Sequence, residues 1–432
     1  MTMTDNISHV KWFRDSSPYI NAHRGKTFVL HLGSEALSNE NFPNIVSDIV
    51  LLNSLGVRLV VVFGASGEIR ERLLTAGDNS ATDFELGKSV LKPEQLPLAQ
   101  EVIGRLKSEL EARLSMGLIN SPQHGSDLLV TSGNFIRAKP LGVIEGTDYH
   151  HTGTVRNVTT DAIHHQLASS VVLIPPIGYS LSGEVFCMHS TEMATTIAIE
   201  LGATKLIFFT EQNGIPDQTG EPISELSIDQ LNKPEYKQFD ELQLARTACQ
   251  QGVSRCHLLS YQYDGALLEE LYTRDGAGTQ IIRESYEQIR PANPADVPGI
   301  IELISPLEEQ GVLVKRSREL LESEHHLFTV CERDGMIVGC AALYPFDNIG
   351  ELACLATHPD YRDDNRGELL LAEIVAKAKK QKFKTLFVLT TRAVHWFLER
   401  GFNSESLDVL PESRKSLYNY QRNSKLLAKT LN

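Results

Sequence analysis

The segment Ala356-Thr-His-Pro-Asp-Tyr-Arg-Asp-Asp-Asn-Arg-Gly-Glu-Leu-Leu-Leu371 passes from an apolar strand through a polar, glycine-containing turn into a helical pattern. A helix that starts after such a turn presents amides with no intrahelical partner, and its dipole adds positive potential, so the pattern can hold a pyrophosphate. An ordinary strand–turn–helix connection has the same pattern, and this stretch alone leaves both readings open. Arginines supply a second chemistry. Arg316 and Arg318 lie two apart in Leu313-Val-Lys-Arg-Ser-Arg318. Beyond Glu412 the chain carries Arg414, Lys415, Arg422, Lys425 and Lys429 and no acidic residue, a local charge of +5. Guanidinium forks grip carboxylates through two parallel hydrogen bonds, whereas a merely solvated basic tail is the alternative.

The whole chain has the opposite sign. Its 432 residues hold 41 Lys and Arg against 55 Asp and Glu, a net charge of −14 that argues against nucleic-acid or anionic-membrane partners. Any polyanionic ligand therefore needs a local basic pocket. The six cysteines, Cys187, Cys249, Cys256, Cys331, Cys340 and Cys354, form no CxxC, and the histidine pairs at 150–151, 164–165 and 325–326 lack HExxH spacing, so no metal is expected. No apolar run reaches the ~18 to 20 residues of a membrane helix, and Met1 to Asp5 lacks the start of a signal peptide, so a cytoplasmic protein is expected.

The elements that must position these groups fall into two styles. Up to about residue 285, short β-branched runs alternate with helical patterns: Thr27–Leu32, Leu59–Phe63, Leu128–Thr131, Val171–Ile174, Lys205–Phe209 and Cys256–Leu259. Several are apolar throughout, as central parallel strands covered on both faces require, which predicts a doubly flanked α/β domain. The proline-dense stretch from Arg290 to Pro298 marks a boundary. Beyond it the pattern predicts a helix from about Asp296, a hairpin through Asp334-Gly335, a strand over Gly350–Ala356, a helix over Gly367–Lys379, a strand over Thr385–Leu389 and a helix with Trp396, an α+β domain.

The second domain resembles the GCN5-related N-acetyltransferases. His358-Pro-Asp-Tyr-Arg362 is similar to their strand-end signature, Arg362-x-x-Asn365-x-Gly367 to their Arg-x-x-Gly-x-Gly loop, and Trp396-Phe-Leu-Glu-Arg-Gly-Phe402 to their aromatic helix ending in Gly-Phe. Asn365 replaces the first glycine, and Asn tolerates left-handed backbone better than most residues. Phe397 stands where many members carry a tyrosine acid. The resemblance implies acetyl-CoA as co-substrate, with no tightly bound cofactor, at Leu355, Ala356, Arg362, Asn365, Arg366, Gly367 and Glu368. With an acyl-transfer fold behind them, the arginine clusters suit a dicarboxylate acceptor.

The first domain resembles the amino-acid kinase fold, particularly acetylglutamate kinase. Working kinases of that family have Lys-x-Gly-Gly where this chain has His31-Leu-Gly-Ser34; their second glycine-rich loop is reduced to Gly64-Ala-Ser-Gly67; and their Asn-x-Asn-Ala-Asp pattern is lost near Cys187-Met-His-Ser-Thr-Glu192. Phosphoryl transfer needs positioned positive charge, so these losses indicate a retired kinase site. Asp275-Gly-Ala-Gly-Thr279 resembles the late turn beside which arginine-sensitive kinases bind arginine, which implies Tyr19, Lys205, Glu269, Asp275, Gly276 and Gly278 as an allosteric arginine site.

The fusion resembles the bacterial N-acetylglutamate synthases, through stretches that include Ser17–Phe28, Leu55–Val62, Val130–Phe135, Asp264–Leu271 and Pro411–Arg422. It implies residues 1–285 as a kinase-like regulatory domain and 286–432 as the catalytic domain. The expected reaction moves acetyl from acetyl-CoA to the α-amine of L-glutamate, the first step of arginine biosynthesis, with feedback inhibition by L-arginine in a homohexamer. Glu351 is the expected general base, Thr390 lies near the departing thiolate, and Leu313, Arg316, Arg318, Cys354, Arg414, Arg422 and Ser424 bind the acceptor. No His or Asp near Cys354 suggests an activated thiolate, so its backbone rather than its sulfur is expected at the substrate. An acetylglutamate kinase with an accessory acyltransferase domain and a non-catalytic arginine sensor are the alternatives; His31 weighs against the first, while Asn365 and Phe397 leave the second open.

Overall fold

The computed structural model describes residues 3–78, 84–85, 88–116, 128–217, 220–283, 287–333, 335–359, 366–415 and 424–431. The chain divides into two compact units, Met1–Glu284 and Ser285–Asn432. Among the described residues no helix is long and apolar enough to cross a membrane.

In the first unit eight strands form one sheet: β1 Thr27–Leu32, β2 Arg58–Phe63, β3 Val130–Thr131, β4 Val171–Ile174, β5 Lys205–Thr210, β6 Glu225–Ser227, β7 Arg255–Ser260 and β8 Thr279–Ile282. They lie in the order β6-β8-β7-β5-β1-β2-β4-β3, parallel except for β7 against β8. Alternate side chains of the central strands feed two separate cores. Val29, Val60, Val62, Leu206 and Phe208 pack with the helices Ser190–Glu200 and Asp240–Gln250; Phe28, Leu30, Val61, Phe63 and Ile207 pack with Phe42–Ser54, Leu96–Ser115 and Ala266–Tyr272. That two-sided burial is why the runs read as apolar throughout. A closed barrel of Ile136–Pro140, Thr152–Val158, Ile177–Tyr179 and Val185–Met188 is a feature that the strand runs did not announce.

A buried polar network crosses one end of this sheet. The Lys205 ammonium donates to His257 Nε2 at 3.0 Å, His257 Nδ1 donates to Glu270 Oε1 at 2.5 Å, and Glu270 Oε2 accepts from the amides of Ala277 and Gly278 at 2.8 and 3.3 Å. Burial opposes the Glu270 charge, yet the His257 hydrogen bond and the turn amide outweigh it and hold the carboxyl below its usual range. A side chain at Gly278 would run into the Leu258 carbonyl, so the turn closes this tightly only with glycine. From the N-terminal helix Met3–His23, Ser16 Oγ donates to the Tyr272 carbonyl at 3.0 Å and His23 Nε2 to the Leu271 carbonyl at 2.8 Å, satisfying the C-terminal end of Ala266–Tyr272.

The second unit is a seven-stranded sheet of β9 Glu287–Pro291, β10 Phe328–Arg333, β11 Met336–Phe346, β12 Ile349–Thr357, β13 Thr385–Thr390, β14 Asn403–Ser404 and β15 Lys425–Thr430. Its order is β9-β10-β11-β12-β13-β15-β14, antiparallel except for β12 beside β13. The amphipathic helix Arg366–Lys380 buries Leu370, Leu371 and Ile374 on one face, and Val297–Glu309 buries Val297, Ile300 and Ile304 on the other. Asn293 and Asp296 form a capping box before Val297–Glu309, and Arg290 of β9 grips Asp296 and Glu332, fastening that helix start to the sheet edge.

Three histidines of the first unit are buried without charge. Burial first, then Lys205, pushes His23 down to about 4 and His257 to about 4; burial and then His189 push His31 to about 3. Below the ordinary value near 6.5 the unfolded chain takes up protons that the folded chain refuses, so stability is full above that pH and falls as pH drops toward 4, by about 1.4 kcal/mol per pH unit for each histidine. Urea denaturation between pH 7.5 and 5 should show this loss, with a shallower slope for His31→Gln; equal slopes would contradict it. Glu270→Ala, which strands His257, Lys205 and two amides, should cost the intact protein about 3–5 kcal/mol in the same assay.

Candidate functional site

The central feature of the second unit is a break in β12. Pairing with β11 runs Gly339↔Thr357 and Cys340↔Ala356, then shifts to Ala342↔Ala353, so one extra residue enters β12 and Cys354 adopts φ +53°. This is a bulge, which bends the strand and increases its twist. On the opposite edge β12 pairs with β13 only from Ile349↔Thr385 to Leu352↔Val388. Beyond that point Ala353–Thr357 and Leu389–Thr390 run apart, and a cleft of about 500 Å3 opens between them, lined also by Leu313, Gly367, Glu368 and Trp396. An extended ligand with amides of its own can take the place of the missing strand pairing there.

At one end of the cleft stands the first turn of Arg366–Lys380, where the free amides and the dipole favour an anion. Gly367 lets this turn approach Trp396, whose ring would lie 3.3 Å from an added Cβ. Glu368 puts a carboxylate in the same turn, but Arg400 pairs with it and stacks on Trp396 at 4.1 Å, so its charge is balanced locally. Leu355 and Ala356 line the cleft, whereas Arg366 is 2% exposed and sits in the interior. Arg362 and Asn365 lie outside the described residues.

On the β11–β12 sheet face that meets Val297–Glu309, charged groups gather. Glu351 lies opposite Tyr344 and is buried; both its oxygens accept from Arg414, from Nε at 2.5 Å and from Nη2 at 2.8 Å. Tyr344 donates to Glu324 at 2.7 Å. Arg316 is fixed by its own amide donating to Glu308 at 3.0 Å and by Nη1 donating to the Val314 carbonyl at 2.9 Å. Burial opposes the Arg316 charge, and Cys354 and Tyr344 beside it offset that and raise its pKa. Arg318, by contrast, is exposed and pairs with Glu322 one helical turn on, so the fold separates it from this cluster although the sequence sets it two residues from Arg316. Arg318 opens the helix Arg318–Glu324, whereas Arg316 lies ahead of its Ser317 cap, so the chain changes direction between them.

Thr390 lines the cleft, and its hydroxyl accepts from the Ala393 amide at 3.0 Å. Lys425 pairs with Thr390 across the sheet, which brings Ser424 to the same end; Arg422 lies outside the described residues. Phe397 is buried against Trp396 and Phe402 as an aromatic core element. Cys354 packs its side chain among Val297, Ile300 and Ala356, and a hydrogen bond with Cys340, together with Arg316, holds its thiol below the usual value despite burial.

The first unit holds a second cavity, of about 550 Å3, between the starts of Ser66–Thr75 and Ser190–Glu200. His31 Nε2 meets Ser190 Oγ there at 2.9 Å and is uncharged at neutral pH. Glu35, Glu192, Glu211, Asp240 and Glu241 line the cavity against a single arginine, Arg70, among its described residues, a balance opposed to polyphosphate. Of the residues expected beside the late turn, Lys205 is fully engaged underneath it through His257 and Glu270, while the Glu269 carboxylate accepts from Tyr263 at 2.8 Å. Tyr19, on the N-terminal helix, packs against the core. His257 and Glu270 were not anticipated; a histidine inside an apolar parallel strand, which must find a partner, was the available signal.

Residues 26–260 match the Amino acid kinase family and residues 297–402 the Acetyltransferase (GNAT) family. The chain is 50% identical over 431 residues to the amino-acid acetyltransferase of Escherichia coli (strain K12), covering 97% of both chains. It is 49% identical over 431 residues to that of Ectopseudomonas mendocina (strain ymp), covering 98% of this chain and 99% of the relative. Among solved structures it resembles N-acetylglutamate synthase from Neisseria gonorrhoeae complexed with coenzyme A and L-arginine, at 36% identity and a TM-score of 0.86 over 98% of this chain and 99% of that one. The complex of the Neisseria enzyme with coenzyme A and N-acetyl-glutamate matches at 38% identity and a TM-score of 0.61 over the same shares. With a bulged, splayed acetyltransferase sheet at one end and an amino-acid kinase fold at the other, the chain belongs to the amino-acid acetyltransferase family.

Proposed function

We propose that the protein transfers acetyl from acetyl-CoA to the α-amine of L-glutamate, giving N-acetyl-L-glutamate and CoA, in the cytoplasm and as the entry to arginine synthesis. The observation that carries this reading is a splayed cleft lined by Leu352 and Cys354, with the buried Glu351 one residue earlier on β12 held by Arg414 and with Arg316 beside Cys354. The amide-bearing arm of CoA suits the open edge of β12, and its pyrophosphate suits the first turn of Arg366–Lys380, with Gly367 and Glu368 there and, from the sequence, Arg362 and Asn365 just before it. A dicarboxylate acceptor suits Arg316 and Arg414, with Leu313, Cys354 and Ser424 and, by the family resemblance, Arg422 as further acceptor-binding residues.

The α-ammonium of the acceptor is mostly protonated at neutral pH and needs a base. Glu351 takes one proton from it and passes it to solvent; the freed lone pair forms the C–N bond at the acetyl carbonyl, and the C–S bond breaks with its electrons leaving on sulfur. The second proton that the nitrogen sheds replaces the one that Thr390 gives to that sulfur. Thr390, which accepts from Ala393, still has its own proton to offer to that thiolate. Cys354 serves through the backbone turn that it makes, its sulfur being packed away in the core.

The kinase-like unit acts as a sensor in this reading. A neutral His31 supplies no charge for phosphoryl transfer, whereas the turn Asp275–Gly278, held from below by Glu270, offers acceptors for a guanidinium beside Tyr19 and Glu269. Lys205 acts on the turn through His257 rather than on the ligand. L-Arginine bound there inhibits by favouring one of two states of the enzyme. Trp12 and Phe13, exposed on the N-terminal helix, suit burial in the homohexamer that the family resemblance implies.

Thiol release measured across amino-acid acceptors tests the reaction: glutamate should far exceed the others, and no glutamate-dependent CoA release would refute it. In that assay Glu351→Gln should lower kcat by about 10² to 10⁴, while Cys354→Ala should retain transfer. An acetylated Cys354 found by mass spectrometry during turnover would reverse the assignment. Millimolar arginine should slow the wild-type enzyme, and Asp275→Ala should shift the half-inhibiting concentration by about ten- to a hundredfold, the loss expected for one charged hydrogen bond; an unchanged value would remove Asp275 from the site.

A further inference from the structure

The base assigned above is masked as it stands. Arg414 holds both oxygens of Glu351 in a fork, and the side chains of both residues are largely buried, so water does little to loosen the pair. A carboxylate that accepts from a guanidinium at each oxygen has one lone pair of each engaged and the edge that faces the guanidinium covered, which hinders its meeting an ammonium group. Parting the two residues into an empty site would leave a buried carboxylate and a buried guanidinium each without a counter-charge, which is strongly unfavourable. The Tyr344 hydroxyl, opposite Glu351 on β11, is engaged with Glu324 and does not relieve it.

A zwitterion removes that penalty. We infer that the amino-acid acceptor inserts into the Glu351–Arg414 ion pair, its ammonium group taking Glu351 and one of its carboxylates taking Arg414. One internal ion pair becomes two and no buried charge of the pair is left alone; the second carboxylate, which gives glutamate its net negative charge, needs a further cation. The insertion sets the ammonium nitrogen against the carboxylate that must deprotonate it. It also makes access to the base conditional on the acceptor's carboxylate: an amine without one has nothing to offer Arg414, and Glu351 stays gripped. Arg414 is thus a specificity-determining residue that acts on kcat, through Glu351, as well as on binding. Arg316, fixed by Glu308 and Val314, is left for the acceptor's other carboxylate.

This inference rests on Glu351 being the base, and the test separates the two. Steady-state kinetics of the intact enzyme are compared for glutamate, 2-aminobutyrate, which lacks the side-chain carboxylate, and 4-aminobutyrate, which lacks the α-carboxylate. On the wild-type enzyme one truncated acceptor should lose about 100-fold in kcat, the size of a general-base contribution. Arg414→Ala should raise the glutamate KM about ten- to a hundredfold and bring the two kcat values to within about tenfold of each other, because the base is no longer masked. Arg414→Lys, which keeps the charge but not the fork, should give a smaller change in the same direction, and carries the comparison if Arg414→Ala does not fold. Wild-type kcat values that are alike for all three acceptors, or a kcat ratio unchanged by either substitution, would overturn the insertion and leave Arg414 a binding residue. A kcat fall equal for every acceptor and recovered by Arg414→Lys would overturn it in favour of a structural ion pair. A Glu351→Gln enzyme with near-normal kcat would instead refute the base.

Discussion

One residue in left-handed backbone in the middle of a strand, Cys354 at φ +53°, is the constraint on which the catalytic unit depends. A non-glycine residue held there costs about 1–3 kcal/mol and persists only where its surroundings fix it. Here they do: Cys354 packs against Val297 and Ile300 of one helix, and β12 is clamped to β11 on both sides of the bulge. The bulge turns β12 away from β13 just after Leu352↔Val388. An uninterrupted parallel pair would have satisfied its own amides and left no cleft. The open edge, the cavity and the position of the helix start at Gly367 all follow from that divergence.

Charge in this unit is balanced locally rather than globally. The chain carries a net −14, yet Arg316 faces Glu308 and Tyr344, Arg400 faces Glu368, and Arg414 faces Glu351. Each of these three arginines has a carboxylate of its own unit beside it. Exchange of one carboxylate for another at a guanidinium alters little in total charge, which suits a site whose ligands are themselves anions.

The kinase-like unit shows the same architecture put to other use. Its sheet and its helix starts still surround a cavity, but a buried, uncharged His31 and an excess of carboxylates occupy the place where phosphate would need cations. Order has moved to the opposite requirement, a turn held rigid by Lys205, His257 and Glu270 under the docked N-terminal helix. That network is fully engaged, and a fully satisfied buried network specifies one arrangement of the elements it joins.

Sequence periodicity determined a great deal here, because burial on both faces of a parallel sheet imposes unbroken apolar runs, and those six runs lie within or overlap strands β1, β2, β3, β4, β5 and β7. The proline-dense link and the elements after it were legible for the same local reason, down to the helix Arg366–Lys380 and the strand bearing Glu351. The small barrel was not, since its short strands alternate weakly and close only on one another. Sequence proximity also misled at Arg318, which is exposed at the head of its helix while Arg316, ahead of the Ser317 cap, turns inward. The pairing of Glu351 with Arg414, 63 residues later, and of His257 with Glu270 and the turn at Gly278 was decided by tertiary structure alone. Periodicity is a property of neighbours along the chain; which buried charge meets which depends on the sheet register and the bulge that bring distant segments together.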